Sequence, residues 1–155
     1  PNALAAHTMV EWWPEISAGI PNAELVLVGP RADDAISSLP SGVTDLGFVE
    51  DVGEVLSGCR GLAAPISVGG GVRVKMLEAA SRGLPAVSTT AGLGSIELSL
   101  GMTPAVDRAD FVRQCRTLLL DVEAAAAAGA RLYDANAERW SARTGQDAVH
   151  AWLSA

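Results

Sequence analysis

The sequence has few of the residues that bind nucleic acids, metals or disulfide partners. Its formal net charge is −7 and it has no cluster of lysine and arginine, which argues against a nucleic-acid-binding surface. His7 and His150 are far apart and lack the spacing of metal ligands. Cys59 and Cys115 lack CxxC spacing, so we expect buried free thiols, with a disulfide as the less favoured alternative. No apolar run reaches the length of a membrane span, so none is predicted.

The composition favours a domain in which helices pack closely on a parallel sheet. At 155 residues the chain is long enough for one domain with a substantial hydrophobic core. Hydrophobic residues make up 49% of it but aromatic residues only 5%, and alanine and glycine are abundant. Apolar segments of strand length alternate with segments of helical periodicity. We therefore predict an α/β fold with a Rossmann-like, doubly wound parallel sheet flanked by helices.

The most informative segment is a strand, a glycine turn and a helix in succession. Residues 61–66 form an apolar run without polar alternation, which is typical of a strand buried on both faces. Three glycines at 69–71 allow a sharp turn, and a helix begins at about Val72 and ends at Gly83. A glycine turn before a helix presents unpaired N–H groups and the positive end of the helix dipole. This segment therefore predicts a phosphate or diphosphate site.

Two charged side chains make that site more specific. Lys75 and Glu78 lie early in the helix, and helical side chains lean towards the N-terminus, so both are expected to project over the glycine turn. The lysine would neutralise a phosphate, and the carboxylate would accept hydrogen bonds from a ribose diol. The alternative is a Lys75–Glu78 pair on a solvated helix face, with glycines that serve only a tight turn.

Four loops are expected to meet at one edge of the sheet. Right-handed crossovers place the carboxyl ends of parallel strands on the same side, where ligands of open α/β sheets bind. The loops near Gly29, Val49, Gly69 and Thr89 each follow a predicted strand. Their convergence predicts a crevice of nucleotide size. The first loop lacks the GxGxxG pattern of NAD-type domains, which argues against that class.

The central segment resembles a known family. Residues 69–92 read Gly-Gly-Gly-Val-Arg-Val-Lys-Met-Leu-Glu-Ala-Ala-Ser-Arg-Gly-Leu-Pro-Ala-Val-Ser-Thr-Thr-Ala-Gly. This run resembles the donor-site signature of the group 1 (family 4) glycosyltransferases, in the branch written GGGxRxKxLEAxAxGxPVVSTxxG. The resemblance extends over nearly the whole chain. It includes residues 46–52, Leu-Gly-Phe-Val-Glu-Asp-Val, which resemble the G-F-V-x-D-V segment of the family.

The resemblance implies the C-terminal, donor-binding half of a two-domain GT-B enzyme. Such enzymes transfer a sugar from a nucleotide-diphosphate-sugar with retention of configuration and need no catalytic metal or other cofactor. The expected diphosphate ligands are the backbone amides of Gly70, Gly71 and Val72 and the side chain of Lys75. Glu78 corresponds to the ribose ligand of the family, and Phe48 and Val49 lie in the loop that contacts the base. No catalytic residue is assigned.

Two positions depart from the family pattern. Many members have a second glutamate eight residues before the ribose ligand, directed at the transferred sugar, and this chain has Gly70 there. Many also have a glutamate where this chain has Gly94. The contacts to the transferred sugar are therefore not assigned from the sequence.

The resemblance also suggests that residues 1–155 are a single donor-binding domain cut from a longer polypeptide. The family's domain normally begins with a strand and a glycine turn just before the residues that match Pro1 and Asn2, and an N-terminal acceptor domain precedes it. We expect that this strand and the acceptor domain belong to the same polypeptide and are missing from the given chain. We also expect that the chain alone is inactive and that the protein is cytoplasmic. A non-catalytic Rossmann-like nucleotide-binding module and a structural domain remain alternatives. A GT-B-type epimerase is less favoured, because it would require a histidine at the crevice and neither His7 nor His150 is placed there.

Overall fold

The fold consists of short parallel strands that alternate with helices. The computed structural model of the chain describes residues 2–30, 38–68, 73–96 and 100–139. The elements within these ranges are α1 (Asn2–Ser17), β1 (Leu25–Val28), β2 (Val43–Gly47), α2 (Val52–Ser57), β3 (Leu62–Ala64), α3 (Val74–Ser81), β4 (Ala86–Ser88), α4 (Thr90–Leu93), a 3-10 turn (Gly94–Ile96), α5 (Arg108–Leu120) and α6 (Val122–Arg139). The predicted α/β class is confirmed.

The described strands form two parallel pairs. β1 pairs with β2, and β3 pairs with β4. A single parallel bridge between Thr89 and Ala105 extends the second pair on the far side of β4. Within the described ranges β1 and β3 do not pair with each other, so the strands do not form one continuous sheet. The doubly wound sheet expected from the sequence therefore stays a prediction.

One hydrophobic cluster joins the two strand pairs. Its buried members come from α1, α5 and the second pair, namely Met9, Trp13, Ile16, Val87, Ala105, Phe111, Val112 and Cys115. Leu25 and Val43 of the first pair and Ala63 of the second pack against it. Two long helices therefore hold both pairs in one core, although the pairs share no strand.

Helix α1 runs from the carboxyl ends of the strands back to their amino ends. Near its start, Ala5 packs with Ala64 and Ile66, at the carboxyl end of β3. Near its other end, the Trp13 indole N–H donates to the Ser41 carbonyl at 3.2 Å, just before β2 begins. The N-terminus of α1 therefore lies on the side of the molecule where the strands end.

The last turn of α1 is capped by an arginine from α5. The Arg116 guanidinium donates to the carbonyls of Ile16 at 2.9 Å and Ala18 at 2.8 Å. These carbonyls come at the end of the helix, where backbone acceptors lack a partner within the helix and the dipole is negative. This contact fixes α1 against α5 and keeps its other end directed at the strand termini.

The two cysteines are free, as the sequence predicts. Cys115 is buried, and burial raises the pKa of its thiol to about 12. Cys59 is only partly buried, which differs from the expectation of two buried thiols. It lies just after α2, where its Sγ donates to the Val55 carbonyl and where solvent reaches the short connection to β3.

Candidate functional site

The carboxyl ends of β3 and β4 are held together by two hydroxyl groups. Ser88 is buried, and its Oγ donates to the Ala64 carbonyl at 2.8 Å. Thr89 Oγ1 donates to the Ile66 carbonyl just beyond β3. The Ala64 carbonyl belongs to the last residue of the ladder and the Ile66 carbonyl lies beyond it, so both hydroxyls satisfy acceptors where strand pairing ends. We call the region formed by the strand carboxyl ends and the first turns of α1 and α3 the carboxyl rim.

A glycine is required where α4 turns away from the rim. Thr89 is the N-cap of α4, and its Oγ1 accepts the Gly92 N–H at 3.0 Å. A Cβ atom at Gly92 would clash with Ser88 Oγ and would lie 3.2 Å from the Ala64 carbonyl oxygen. The close approach of this turn to β3 is therefore possible only without a side chain at position 92.

Arg73 connects the start of α3 to the turn after β4. Its Nη2 donates to the Ala91 carbonyl at 2.6 Å. The side chain also lies against Gly94, which has a positive φ of 56° and at which a Cβ would be 3.2 Å from Arg73 Nε. In this chain, both the backbone conformation and the position of Arg73 favour glycine there.

Lys75 connects the start of α3 to the start of α1. Its Nζ donates to Asn2 Oδ1 at 2.9 Å, across 73 positions of sequence. Partial burial lowers the pKa of Lys75, and the nearby Arg73 charge lowers it further. Because Asn2 offers a neutral carboxamide, this hydrogen bond does not neutralise the lysine. The group is therefore a partly desolvated cation, for which a bound anion would be a better partner than the carboxamide.

The N-termini of α1 and α3 meet at this lysine. Neither helix has an acidic residue in its first turn. Helix N-termini carry partial positive charge and unpaired N–H groups, which carboxylates often satisfy. Here the first turns instead carry Asn2 and Lys75, with Arg73 directly before α3. The electrostatic character of this part of the rim is positive, although the whole chain has a net charge of −7.

Glu78 lies one turn further along α3. Its Oε1 accepts a hydrogen bond of 2.7 Å from Arg82 Nε, and their side chains are 41% and 43% exposed, respectively. The structure therefore pairs Glu78 with Arg82 and Lys75 with Asn2, instead of forming the Lys75–Glu78 pair considered from the sequence. Glu78 remains accessible from solvent.

Exposed apolar side chains border the rim. Phe48 follows β2 and is 76% exposed, whereas the neighbouring Val49 is half-buried. Asp51 then caps α2 by accepting the Gly53 N–H at 2.7 Å, which fixes the end of this loop. An aromatic ring this exposed offers a flat apolar surface to a ligand.

The expected diphosphate amides lie outside the described residues. These are the backbone N–H groups of Gly70, Gly71 and Val72. The flanking residues on either side, Val68 and Arg73, are described.

Three contact residues were not predicted as part of the site. Asn2 could not be found from spacing, because its contact with Lys75 spans 73 positions. Arg73 belongs to the central motif, but its contact with Ala91 depends on the fold. Arg82 stands four residues after Glu78, a spacing that already indicates a helical ion pair.

The described residues contain no group of three or more His, Cys, Asp or Glu side chains placed to hold a metal ion. Across the same residues, no helix combines the length and apolarity needed to cross a membrane. A shallow, open depression of about 500 Å³ lies along α5 between Ala109 and Asp121, and none of the predicted ligands line it. The predicted site residues that are described, in contrast, lie around the carboxyl rim.

A comparison with protein-family models identifies the family of this chain. The family model described as glycosyl transferases, group 1, matches residues 1–121, which extend from the start of α1 to the end of α5 and include every predicted ligand residue. No curated protein and no solved structure showed a match.

Proposed function

The chain belongs to the group 1 glycosyltransferases, and from this membership we propose that it is the donor-binding domain of a retaining enzyme with GT-B architecture. In this proposal the donor is a nucleotide-diphosphate-sugar and the acceptor binds to a separate N-terminal domain of the same polypeptide. The observation that carries the proposal is the meeting of the α1 and α3 N-termini around a partly desolvated Lys75.

The donor diphosphate binds at the N-terminus of α3. Lys75 and Arg73 supply positive charge there, and the absence of acidic residues from the first turns of α1 and α3 leaves the helix dipoles uncompensated. The amides of Gly70, Gly71 and Val72 complete the site as hydrogen-bond donors. A diphosphate would displace Asn2 as the partner of Lys75 or bind beside it, replacing a neutral acceptor by a charged one.

The ribose binds to the Glu78 carboxylate. Arg82 uses one oxygen of this group, and a carboxylate has about four acceptor positions in all. Enough of them remain for two adjacent sugar hydroxyls. Phe48 extends from the neighbouring loop, where its exposed ring and the Val49 backbone contact the nucleotide base.

Transfer requires stabilisation of the leaving nucleotide diphosphate. Negative charge grows on the diphosphate as its bond to the sugar breaks, and a fixed cation with oriented N–H groups stabilises this charge more than that of the intact donor. In the proposal these groups replace a metal ion, so no cofactor is needed. The acceptor and the residues that orient it come from the N-terminal domain, and the isolated chain binds donor without transferring the sugar.

The test is calorimetric titration of the chain with UDP, GDP and ADP, together with a Glu78→Gln variant. Loss of a charged hydrogen-bond acceptor is expected to weaken binding of the preferred nucleotide by about 10- to 100-fold. Glu123→Gln is the matched control, because Glu123 is exposed in the first turn of α6 and lies outside the proposed site. Equal affinity of Glu78→Gln and the wild type would contradict the assignment of Glu78 to the ribose.

A further inference from the structure

Arg82 binds the Glu78 carboxylate from the end of the same helix. It is the C-cap of α3, and its Nε donates to Glu78 Oε1 at 2.7 Å. Among the residues that the structure describes, no other group binds this carboxylate. An i,i+4 ion pair on a solvated helix face is weak, because water competes for both partners. Such a pair alone would therefore leave Glu78 able to change its rotamer.

The Arg82 guanidinium is confined on its other side by helix α2. Gly53 is the second residue of α2 and is buried. A Cβ atom on Gly53 would lie 2.5 Å from Arg82 Nη2 and 3.0 Å from Arg82 Cζ, so the guanidinium occupies the space that a side chain at position 53 would fill. Gly53 does not have a positive φ, so close packing and not backbone conformation requires a glycine there.

The charges of α2 do not explain why a cation lies across its start. The N-terminus of a helix carries partial positive charge, which disfavours a guanidinium beside it. Asp51 as the N-cap and Glu54 in the first turn already supply the negative charge that favours this helix end. α2 therefore has no need of Arg82 for its own stability. The charged partner that accounts for the position of Arg82 is Glu78.

Helix α2 directly follows the loop expected to contact the nucleotide base. Phe48 and Val49 lie in this loop, and Asp51 ends it as the N-cap of α2. Arg82 thereby connects the helix that follows the base loop with Glu78, the proposed ribose ligand. Base and ribose are joined by one bond in a nucleoside, so the groups that bind them must keep a fixed relative position. A guanidinium held between α2 and Glu78 meets this requirement.

We propose that Arg82, held in place by Gly53, is a positioning residue that orients the Glu78 carboxylate for the donor ribose. Arg82 itself does not contact the nucleotide. It occupies Oε1 of Glu78 and leaves the other oxygen to accept the ribose 2′-hydroxyl. A carboxylate held in one orientation loses less conformational freedom on binding than a mobile one, so its hydrogen bonds contribute more to affinity. The inference rests on the proposed function, in which Glu78 binds the ribose.

The test measures how strongly each variant prefers a ribonucleotide. UDP, GDP and ADP are titrated calorimetrically into the chain beside their 2′-deoxy analogues. The wild type is expected to prefer the ribonucleotide by about tenfold or more, because the deoxy sugar leaves a charged acceptor without its partner. In Arg82→Gln this preference is expected to fall to about threefold or less. Arg82→Lys keeps the charge but not the planar guanidinium, and it should not restore the wild-type preference.

Gly53→Ala tests the same contact from α2. The added Cβ would meet the far end of the flexible Arg82 side chain, which can move away, so the chain should fold while its preference falls as in Arg82→Gln. The Cβ would also lie 2.8 Å from Asp51 Oδ1, and any effect of that contact would persist in the Arg82→Gln background. In the double variant we therefore expect no further loss of preference. Gly58→Ala, at the other end of α2, is the matched control and should keep the wild-type preference.

The outcomes distinguish this proposal from the proposed function on which it rests. If Arg82→Gln weakened the ribonucleotide and its 2′-deoxy analogue by the same factor, Arg82 would only stabilise α3, and the proposal would be overturned. Wild-type preference in Gly53→Ala would overturn it as well, because α2 would not hold the guanidinium. Equal binding of the two nucleotides by the wild type would contradict the assignment of Glu78 to the ribose and the proposal with it. Titration with inorganic pyrophosphate then tests the diphosphate site at Lys75 separately.

Discussion

At the scale of single residues, the proposed site depends most on Lys75 among the described side chains. It connects two helix N-termini through Asn2, and both burial and the Arg73 charge lower its pKa. These effects oppose protonation in the unliganded chain. A diphosphate would reverse the balance, because its negative charge favours the protonated amine.

The depressed pKa of Lys75 leads to a prediction about pH. The Lys75 amine is charged below its lowered pKa and neutral above it. Nucleotide affinity should therefore be greatest below that pKa and fall as the pH rises through it. The fall should begin at a pH below 10.5, the usual pKa of a lysine. Calorimetry from about pH 7 to pH 10 measures this fall. Lys75→Arg keeps its charge over the whole range, so its affinity should lack this loss. A parallel decline in wild type and variant would contradict the prediction.

At the scale of elements, the sequence located the central strand, turn and helix better than their ends. The strand expected at 61–66 is Leu62–Ala64, and the helix expected from about Val72 to Gly83 is α3, Val74–Ser81. Glycines and apolar periodicity mark the middle of each element. The strand ends earlier because strand pairing stops at Ala64, after which the Ile66 N–H donates back to the Ala64 carbonyl in a turn.

Helix α6 contacts the turn that follows α3 at a pair of glycines, Gly129 and Gly83. A Cβ atom at Gly129 would clash with the Gly83 carbonyl, and Gly83 itself has a positive φ of 64°. Gly129→Ala is therefore expected to lower the free energy of unfolding by about 1–3 kcal/mol through overpacking. Urea denaturation followed by circular dichroism measures the change.

Gly58→Ala provides the control for this substitution. Gly58 is the C-cap of α2 and has a negative φ, which any residue can adopt. A Cβ atom added there would lie 3.6 Å from the Val55 carbonyl oxygen, which is an ordinary contact distance. This variant should unfold within about 0.5 kcal/mol of the wild type. If Gly129→Ala were as stable as Gly58→Ala, α6 and the turn after α3 would not be in the close contact described.

At the scale of the whole molecule, the two strand pairs depend on a common core. Phe111 is fully buried in the cluster that joins them and contacts Trp12 edge-on, with ring centroids 5.4 Å apart. Phe111→Ala is expected to cost about 3–5 kcal/mol. Amides of β1 and of β4 should lose protection together in hydrogen exchange, because both pairs pack against the cluster that contains this side chain.

The control for Phe111→Ala is Val122→Ala. Val122 is 60% exposed at the start of α6, so its truncation should change the free energy of unfolding by no more than about 0.5 kcal/mol. Loss of protection in only one strand pair of Phe111→Ala would show that the pairs are stabilised separately.

The sequence predicted the α/β class and the segment that carries Lys75 and Glu78, because glycine turns and apolar periodicity are features of a few neighbouring residues. It did not reveal the contact between Lys75 and Asn2, which joins two helix starts 73 positions apart. Nor did it reveal that the strands form two pairs that share one cluster. Strand runs of similar composition do not show which of them are neighbours.

The turn at Gly92 determines how this rim can be redesigned. Its backbone lies so close to Ser88 and to the Ala64 carbonyl that no side chain fits. In a saturation library of residues 89–96 intended to change ligand preference, glycine at 92 should be the most strongly retained choice among folded variants. Diversity introduced on either side of it can alter what the rim binds, whereas diversity at position 92 itself would mainly yield chains that fail to fold.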